Sequence, residues 1–315
     1  MGVGLNYLAT PPVARGQDAH LDPSTMSINA LIRAGLPLPG GAPGSASYAS
    51  WLASVTQMLP RVHVAPFNPS TAATAPANWY SSTEDNISWA GYEDYQNTYG
   101  LVQGQWDMAN VSTPLTALWG IGQWVGIGGD TANTSSGFAS LMQSGGEIYN
   151  QGSGSTTTLF VEAVSGYNSE NAAQCGDYTA GSANPGNNLW GEDGYVGPVV
   201  VDNTTYSQFR GIANNVTTGG STGWVYFDCP TNYVDNSAEA ILETPYLGNG
   251  AYYNLPPFSD TADYWNYYTY TSSGEVNGEV APYRLINLDV INGSQATPTN
   301  WTSETSFGIN WQHSP

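Results

Sequence analysis

The sequence predicts an all-β chain: an antiparallel β-sandwich that carries an N-terminal helical or extended segment. Three observations predict it. From residue 86 onward, short runs rich in β-branched and aromatic residues are separated by turns of Gly, Asn, Ser and Thr. These runs alternate in polarity, so each offers one face to a core and the other to solvent or a cleft. None is followed by the helical pattern that a parallel βαβ unit requires.

The elements follow in order. "STMSINALIRAG" (24–35) opens on a Ser cap and stops at Gly35. "SYASWLASVTQML" (47–59) sets Trp51, Leu52, Val55, Met58 and Leu59 on one helical stripe that Pro60 ends. "PFNPSTAATAPANW" (66–79) reads as an extended linker. The strand candidates are "LVQGQWDM" (101–108), "GQWVGIGG" (122–129), "TTLFVEAV" (157–164), "GPVVVDN" (197–203), "GWVYFDC" (223–229), "EAILET" (239–244), "YRLINLDVI" (283–291) and "FGINW" (307–311). The expected organisation is an N-terminal arm or propeptide over 1–80 and one β domain over 81–315, a concanavalin A/lectin-like jelly roll.

Charge bounds the partners. The chain has no lysine; Arg15, Arg33, Arg61, Arg210 and Arg284 stand against 25 acids, for a formal charge of −20. Nucleic acid needs a cationic surface, and an anionic membrane would repel this one. No apolar run is long enough to cross a bilayer as a helix. Residues 1–80 hold three Arg and two acids, net +1, while 81–315 hold two Arg and 23 acids, net −21. Once the carboxylates are neutralised in acid, few cations are left to repel one another, so the composition favours acid tolerance. Halophilic adaptation fits less well, because charged residues make up only 10% of the chain. Seven Asn-x-Ser/Thr sites lie beyond residue 80, and the N-terminus shows no charged start followed by an apolar core. The expected setting is extracellular and acidic, with a secretory signal absent or already removed.

Histidine chemistry is excluded early. His20 and His63 lie in the N-terminal segment and His313 in the tail, so the β domain has no His for a Ser-His-Asp triad or a zinc site. No metal or other cofactor is expected. Cys175 and Cys229 form one bridge or none, and read better as a bridge than as nucleophiles. "GIGGD" (126–130) does not lead into a helix, which removes phosphate cradling. Carboxylates and amides are left. In "SAEAILETP" (237–245), strand alternation puts Glu239, Ile241 and Glu243 on one face and Ala238, Ala240 and Leu242 on the other. Inward carboxylates cost desolvation unless hydrogen-bonded or functional, and a hydrated concave face accounts for them equally well.

A second stretch shifts that balance. "WVGIGGDTANTSSGFASLMQSGGE" (124–147), with "NISWAGY" (86–92) and "AEAILE" (238–243), resembles the glutamic peptidases of the eqolisin family, the scytalidoglutamic peptidase type. The resemblance spans roughly residues 86–312 and includes the closing "INLDVINGSQATPTNWTSETSFGINW" (286–311). It implies Gln143 and Glu243 as a catalytic pair, Trp124 lining the cleft and Glu162 as a supporting acid. Gly128 stands where the family carries an acid, with Asp130 two residues on, and the family's cysteine before the glutamine is missing. Asp130 and Glu239 complete the expected cleft.

The implied activity is that of an acid-acting endopeptidase on polypeptide substrates, working as a monomer held by its own propeptide. An ionised Glu243 takes a proton from water and returns it to the leaving amine; Gln143 accepts from that water and donates to the oxyanion. That scheme expects Glu243 to stay ionised in acid, near or below the ordinary Glu value of about 4.3. The competing expectation is a carbohydrate-binding or glycoside-hydrolysing sandwich, with "AYYNLPPFSDTADYWNYYTYT" (251–271) stacking on sugars. Glu239 and Glu243 lie about 13 Å apart along one strand, too far for a glycosidase pair without another acid. A pure adhesion protein is the third class.

Overall fold

The structure is a computed structural model. It describes residues 23–25, 39, 42–46, 48–49 and 52, and residues 80–313 except 87, 96–97, 112–117, 130–139, 153, 166–172, 202–203, 231–236, 249–250, 259–260, 272–273, 278–282, 290–294 and 304. The helices expected over 24–35 and 47–59 and the linker at 66–79 lie mostly outside the described residues. At the second helix, Ser45 Oγ accepts from Tyr48 N at 3.1 Å, an N-terminal cap.

The described β region is built from nineteen strands. In chain order they are β1 (Tyr80–Asn86), β2 (Trp89–Tyr95), β3 (Tyr99–Asp107), β4 (Trp119–Gly128), β5 (Ser140–Asn150), β6 (Ser155–Ser165) and β7 (Ala173–Ala180). Then come β8 (Asn188–Val201), β9 (Thr204–Asn215), β10 (Gly220–Ser221), β11 (Val225–Pro230), β12 (Ser237–Glu243), β13 (Tyr246–Gly248) and β14 (Ala251–Tyr252). The chain closes with β15 (Ala262–Thr271), β16 (Gly274–Asn277), β17 (Tyr283–Asp289), β18 (Gln295–Pro298) and β19 (Phe307–His313). Each of the eight strand candidates overlaps one of these strands. Pairing is antiparallel except for β1, which runs parallel to β17.

Pairing order resolves two layers. The first runs β1-β17-β2-β12-β4-β5-β6-β7, and the second runs β18-β19-β15-β3-β8-β9-β11. The pairing of β17 with β18 joins them. Alternation fixes what each face carries. Between the layers lie Ala238, Ala240 and Leu242 of β12, Val125 and Ile127 of β4, and Leu159, Val161 and Ala163 of β6, packed with Val102, Trp106, Phe209, Tyr264 and Phe307. The aromatic run expected to stack on sugars is therefore partly core, since Tyr264 and Tyr267 are buried there.

Two devices bind the layers. Tyr264 Oη donates to Ile241 O at 2.5 Å and Tyr267 Oη to Ala238 O at 2.8 Å, so β15 grips β12 across the core. Cys175 on β7 and Cys229 on β11 form a disulfide, as the bridge reading expects.

Candidate active site

Register decides which side chains share the outer face of the first layer. Residues directly opposed across neighbouring strands point to one side. One row runs Glu239–Gly126–Gln143–Glu162–Asp177 through β12, β4, β5, β6 and β7. The next is Ile241–Trp124–Gly145–Phe160, and the third is Glu243–Gly122–Glu147–Thr158. Trp89 of β2 opposes Glu243 from the other side. The structure thus brings Gln143, Glu243, Trp124, Glu162 and Glu239 onto one face. Asp130 lies outside the described residues.

An apolar patch floors the site. Trp89, Trp124, Leu141, Phe160, Ile241 and Ile286 cluster there, apart from the main core. The indoles of Trp89 and Trp124 meet edge to face, with ring centroids 5.1 Å apart. Trp124 fits because Gly145 lies opposite: a Cβ on Gly145 would sit 2.2 Å from Gln123 O and 2.6 Å from Trp124 Cβ. The two expected catalytic residues are each held by a different neighbour. Trp124 Nε1 donates to Glu243 Oε2 at 2.8 Å, and Gln143 Nε2 donates to Glu162 Oε2 at 2.6 Å. The remaining Gln143 oxygen, Oε1, is buried and accepts no hydrogen bond.

Gln143 and Glu243 share no direct hydrogen bond. They lie two strands and four residues apart, roughly 16 Å between Cα atoms on a flat sheet.

Electrostatics corrects one expectation. Burial pushes the Glu243 carboxyl up to about 8; hydrogen bonding from Trp124 and Trp89 opposes the shift, and the charges of Glu162 and Glu147 add to it. Glu243 therefore enters acid holding its proton, rather than as the ionised base that the sequence reading required. Residue type was legible in the sequence, but the burial of the carboxyl was not. Burial likewise pushes Glu147 up to about 7, helped by Glu162 and Asp177. Glu147 was missed as a site residue. Its signal was its place four residues beyond Gln143, which on a strand is the same face.

No protein-family model and no curated protein matches the sequence. Solved structures do match. The chain is similar to scytalido-glutamic peptidase with a transition state analog inhibitor, at a TM-score of 0.52 and 17% identity over 72% of this chain and 99% of that one. A second structure of that peptidase, with a peptide-based transition state analog, gives 0.52 and 16% over the same shares. SCP-B, a member of the eqolisin family in complex with the tripeptide Ala-Ile-His, gives 0.50 and 16%, again over 72% and 99%. The likeness shows a shared all-β fold.

Proposed function

We propose that the chain is an endopeptidase working in acid, with Glu243 and Gln143 as its catalytic pair. The observation that carries this reading is the outer face itself. A proton-holding Glu243, braced by Trp124, shares that face with an amide whose Oε1 lacks a donor. The likeness of fold to glutamic peptidases supports it.

A protonated Glu243 suits a relay that starts and ends neutral. It gives its proton to the scissile carbonyl oxygen and takes one from the water attacking the carbon. The resulting diol then collapses: the C–N bond breaks, Glu243 protonates the amine and recovers a proton from a diol hydroxyl. Glu243 holds the water it deprotonates, and the Gln143 amide N–H stabilises the oxygen on which charge develops. Activity is carried by protonated Glu243 and is lost as pH rises through about 8.

The test is cleavage of a denatured protein at pH 3 in the presence of pepstatin. Cleavage is expected in the native chain and absent in Glu243→Gln; full activity in that variant sinks the reading. We further propose that residues 1–80, net +1, dock as an autoinhibitory propeptide on the domain of charge −21 and are removed in acid outside the cell. Acid incubation should yield a new N-terminus between residues 60 and 86, and an intact chain at pH 3 excludes this.

Glycoside hydrolysis draws on one observation: Glu147 faces Glu243 across Gly122, an arrangement of two carboxyl groups. Gln143→Ala separates the readings, because it removes peptidolysis and leaves a two-carboxyl glycosidase active.

A further inference from the structure

We propose that Glu162 is a positioning residue that sets which end of the Gln143 amide faces the substrate, and that protonating Glu162 turns the amide N–H groups toward it. This rests on the peptidase reading above and adds its pH gate. Gln143 and Glu162 are directly opposed on β5 and β6, and the contact between them is short, 2.6 Å from Nε2 to Oε2. Gln143 is only 8% exposed, and its Oε1 has no donor.

An ionised carboxylate can only accept. With Glu162 ionised, Gln143 must turn Nε2 toward it and leave Oε1 orphaned, which is the arrangement seen. A protonated Glu162 can donate its O–H to Oε1. The amide then gains by rotating half a turn: the buried oxygen is satisfied, and both N–H bonds are free to meet an oxyanion. The amide is equally planar either way, so only the proton on Glu162 decides between the two states.

The groups around Glu162 come from β5, β7 and β12, with Glu93 of β2 beyond them in the same row, opposite Glu239. Glu147 lies on β5 with Gln143, Asp177 opposes Glu162 from β7, and Glu243 and Glu239 reach in from β12. The charge of Glu162 acts on both Glu147 and Glu243. Acid therefore loads this group with protons collectively, and Glu162 is the member that touches the amide.

Two measurements test the gate on the full chain. The first follows the side-chain ¹⁵NH₂ signals of Gln143 between pH 3 and pH 7. They should move with a single midpoint in the native chain, and that midpoint should vanish in Glu162→Gln. The second compares kcat against pH. In Glu162→Gln the ratio of kcat at pH 6 to kcat at pH 3 should rise about tenfold over the native ratio, while Glu162→Leu should lower kcat about 100-fold with little change in KM. Gln143 signals that stay fixed with pH, or a Glu162→Gln profile that matches the native one, would overturn the proposal. If Glu243→Gln still cleaves peptides, the assignment of Glu243 and Gln143 as the catalytic pair is what fails, and the amide titration still decides the gate.

Discussion

Two neighbouring residues of β5 make the same kind of contact on opposite faces. Gln143 points outward and donates to Glu162 at 2.6 Å; Ser144 points inward and donates to Asp193 Oδ1 at 2.6 Å. Both acceptors are carboxyl groups, and both donors are more than nine-tenths buried. The surroundings differ. The inward pair is sealed between the layers, where a Cβ on Gly211 would lie 2.4 Å from Asp193 Oδ1 and 2.5 Å from Ser144 Oγ. The outward pair shares its face with Glu147, Asp177, Glu239 and Glu243. A buried carboxyl is therefore no sign of chemistry by itself. What distinguishes the outer face is several acids beside an amide with an open acceptor.

The largest effect should come from breaking the outward side. Gln143→Ala is expected to lower kcat for peptide hydrolysis 10²–10³-fold, about 3–4 kcal/mol, from the loss of one preorganised amide. Its melting temperature should stay within a few degrees of the native chain, because no core contact is removed. Steady-state kinetics at pH 3 with a thermal melt at the same pH checks both halves. A large fall in stability without a loss of kcat would make the outward pair as structural as the inward one.

Asp193→Ala breaks the inward side and should do the reverse. It strands Ser144 Oγ and opens a void in a packed interior, costing about 3 kcal/mol of stability. Chemical denaturation measures that loss, and kcat per folded molecule should not change. If activity falls with stability held constant, the two faces of β5 are coupled and the distinction between them collapses.

Proton linkage separates the same two faces more finely. Burial raises the Asp193 carboxyl well above its ordinary range, opposed by the Ser144 hydroxyl. The sign follows from that direction. Stability from a raised carboxyl is fully present below the unfolded value, about 3.9 for Asp, and is lost as pH rises through the folded value. Asp94, also raised by burial, behaves alike. Glu147 and Glu243 add windows that run from about 4.3 up to about 7 and about 8. The chain should therefore melt at a higher temperature at pH 4 than at pH 8. Asp193→Asn should flatten that slope by up to about 1.4 kcal/mol per pH unit and leave catalysis alone. Glu243→Gln should flatten it and abolish activity. Equal slopes in Asp193→Asn and the native chain would show that the buried proton on Asp193 is not linked to folding.

How much of this was legible in the sequence follows from what is local. β12 could be read because alternation within "SAEAILE" is clean, and its two faces fell as expected. β5 appeared only as a motif, since Ser144, Gly145 and Gly146 interrupt its apolar pattern. β15 was hidden for another reason. Aromatic residues occupy both of its faces, and its register against β3 shifts between Trp265 and Tyr268, next to Asn266 at a positive φ of 53°. A shift of that kind breaks the two-residue period on which strand reading depends. The site divides the same way. Gln143 and Glu243 were visible as residue types in motifs, whereas the facing of Glu147 and Glu243 depends on β4 lying between two strands distant in sequence. The raised Glu243 carboxyl depends on burial, which no spacing encodes.

The smallest expected effect tests whether the inner face steers the outer one. Tyr264 spans the core to donate to Ile241 O, the backbone of the residue two before Glu243. Tyr264→Phe keeps the ring and its stacking on Phe307, 5.0 Å between centroids, and removes the hydroxyl, which donates to Ile241 O and takes hydrogen bonds from the Gln123 side chain and the Trp124 backbone. The stability cost should be about 1–3 kcal/mol, because the buried partners of the hydroxyl are left short of a bond. If that bond also fixes the height of β12, the Trp124–Glu243 contact loosens and kcat falls about two- to fivefold at unchanged KM, because a carboxyl displaced slightly from its productive position loses rate before it loses binding. Tyr267→Phe is the control. Its hydroxyl reaches Ala238 O, at the far end of β12 from Glu243, so a similar loss of stability should come with no change in kcat. Equal kcat in the two variants would mean that the tyrosines hold the layers together without aiming the glutamate, and that the faces of the sheet act independently.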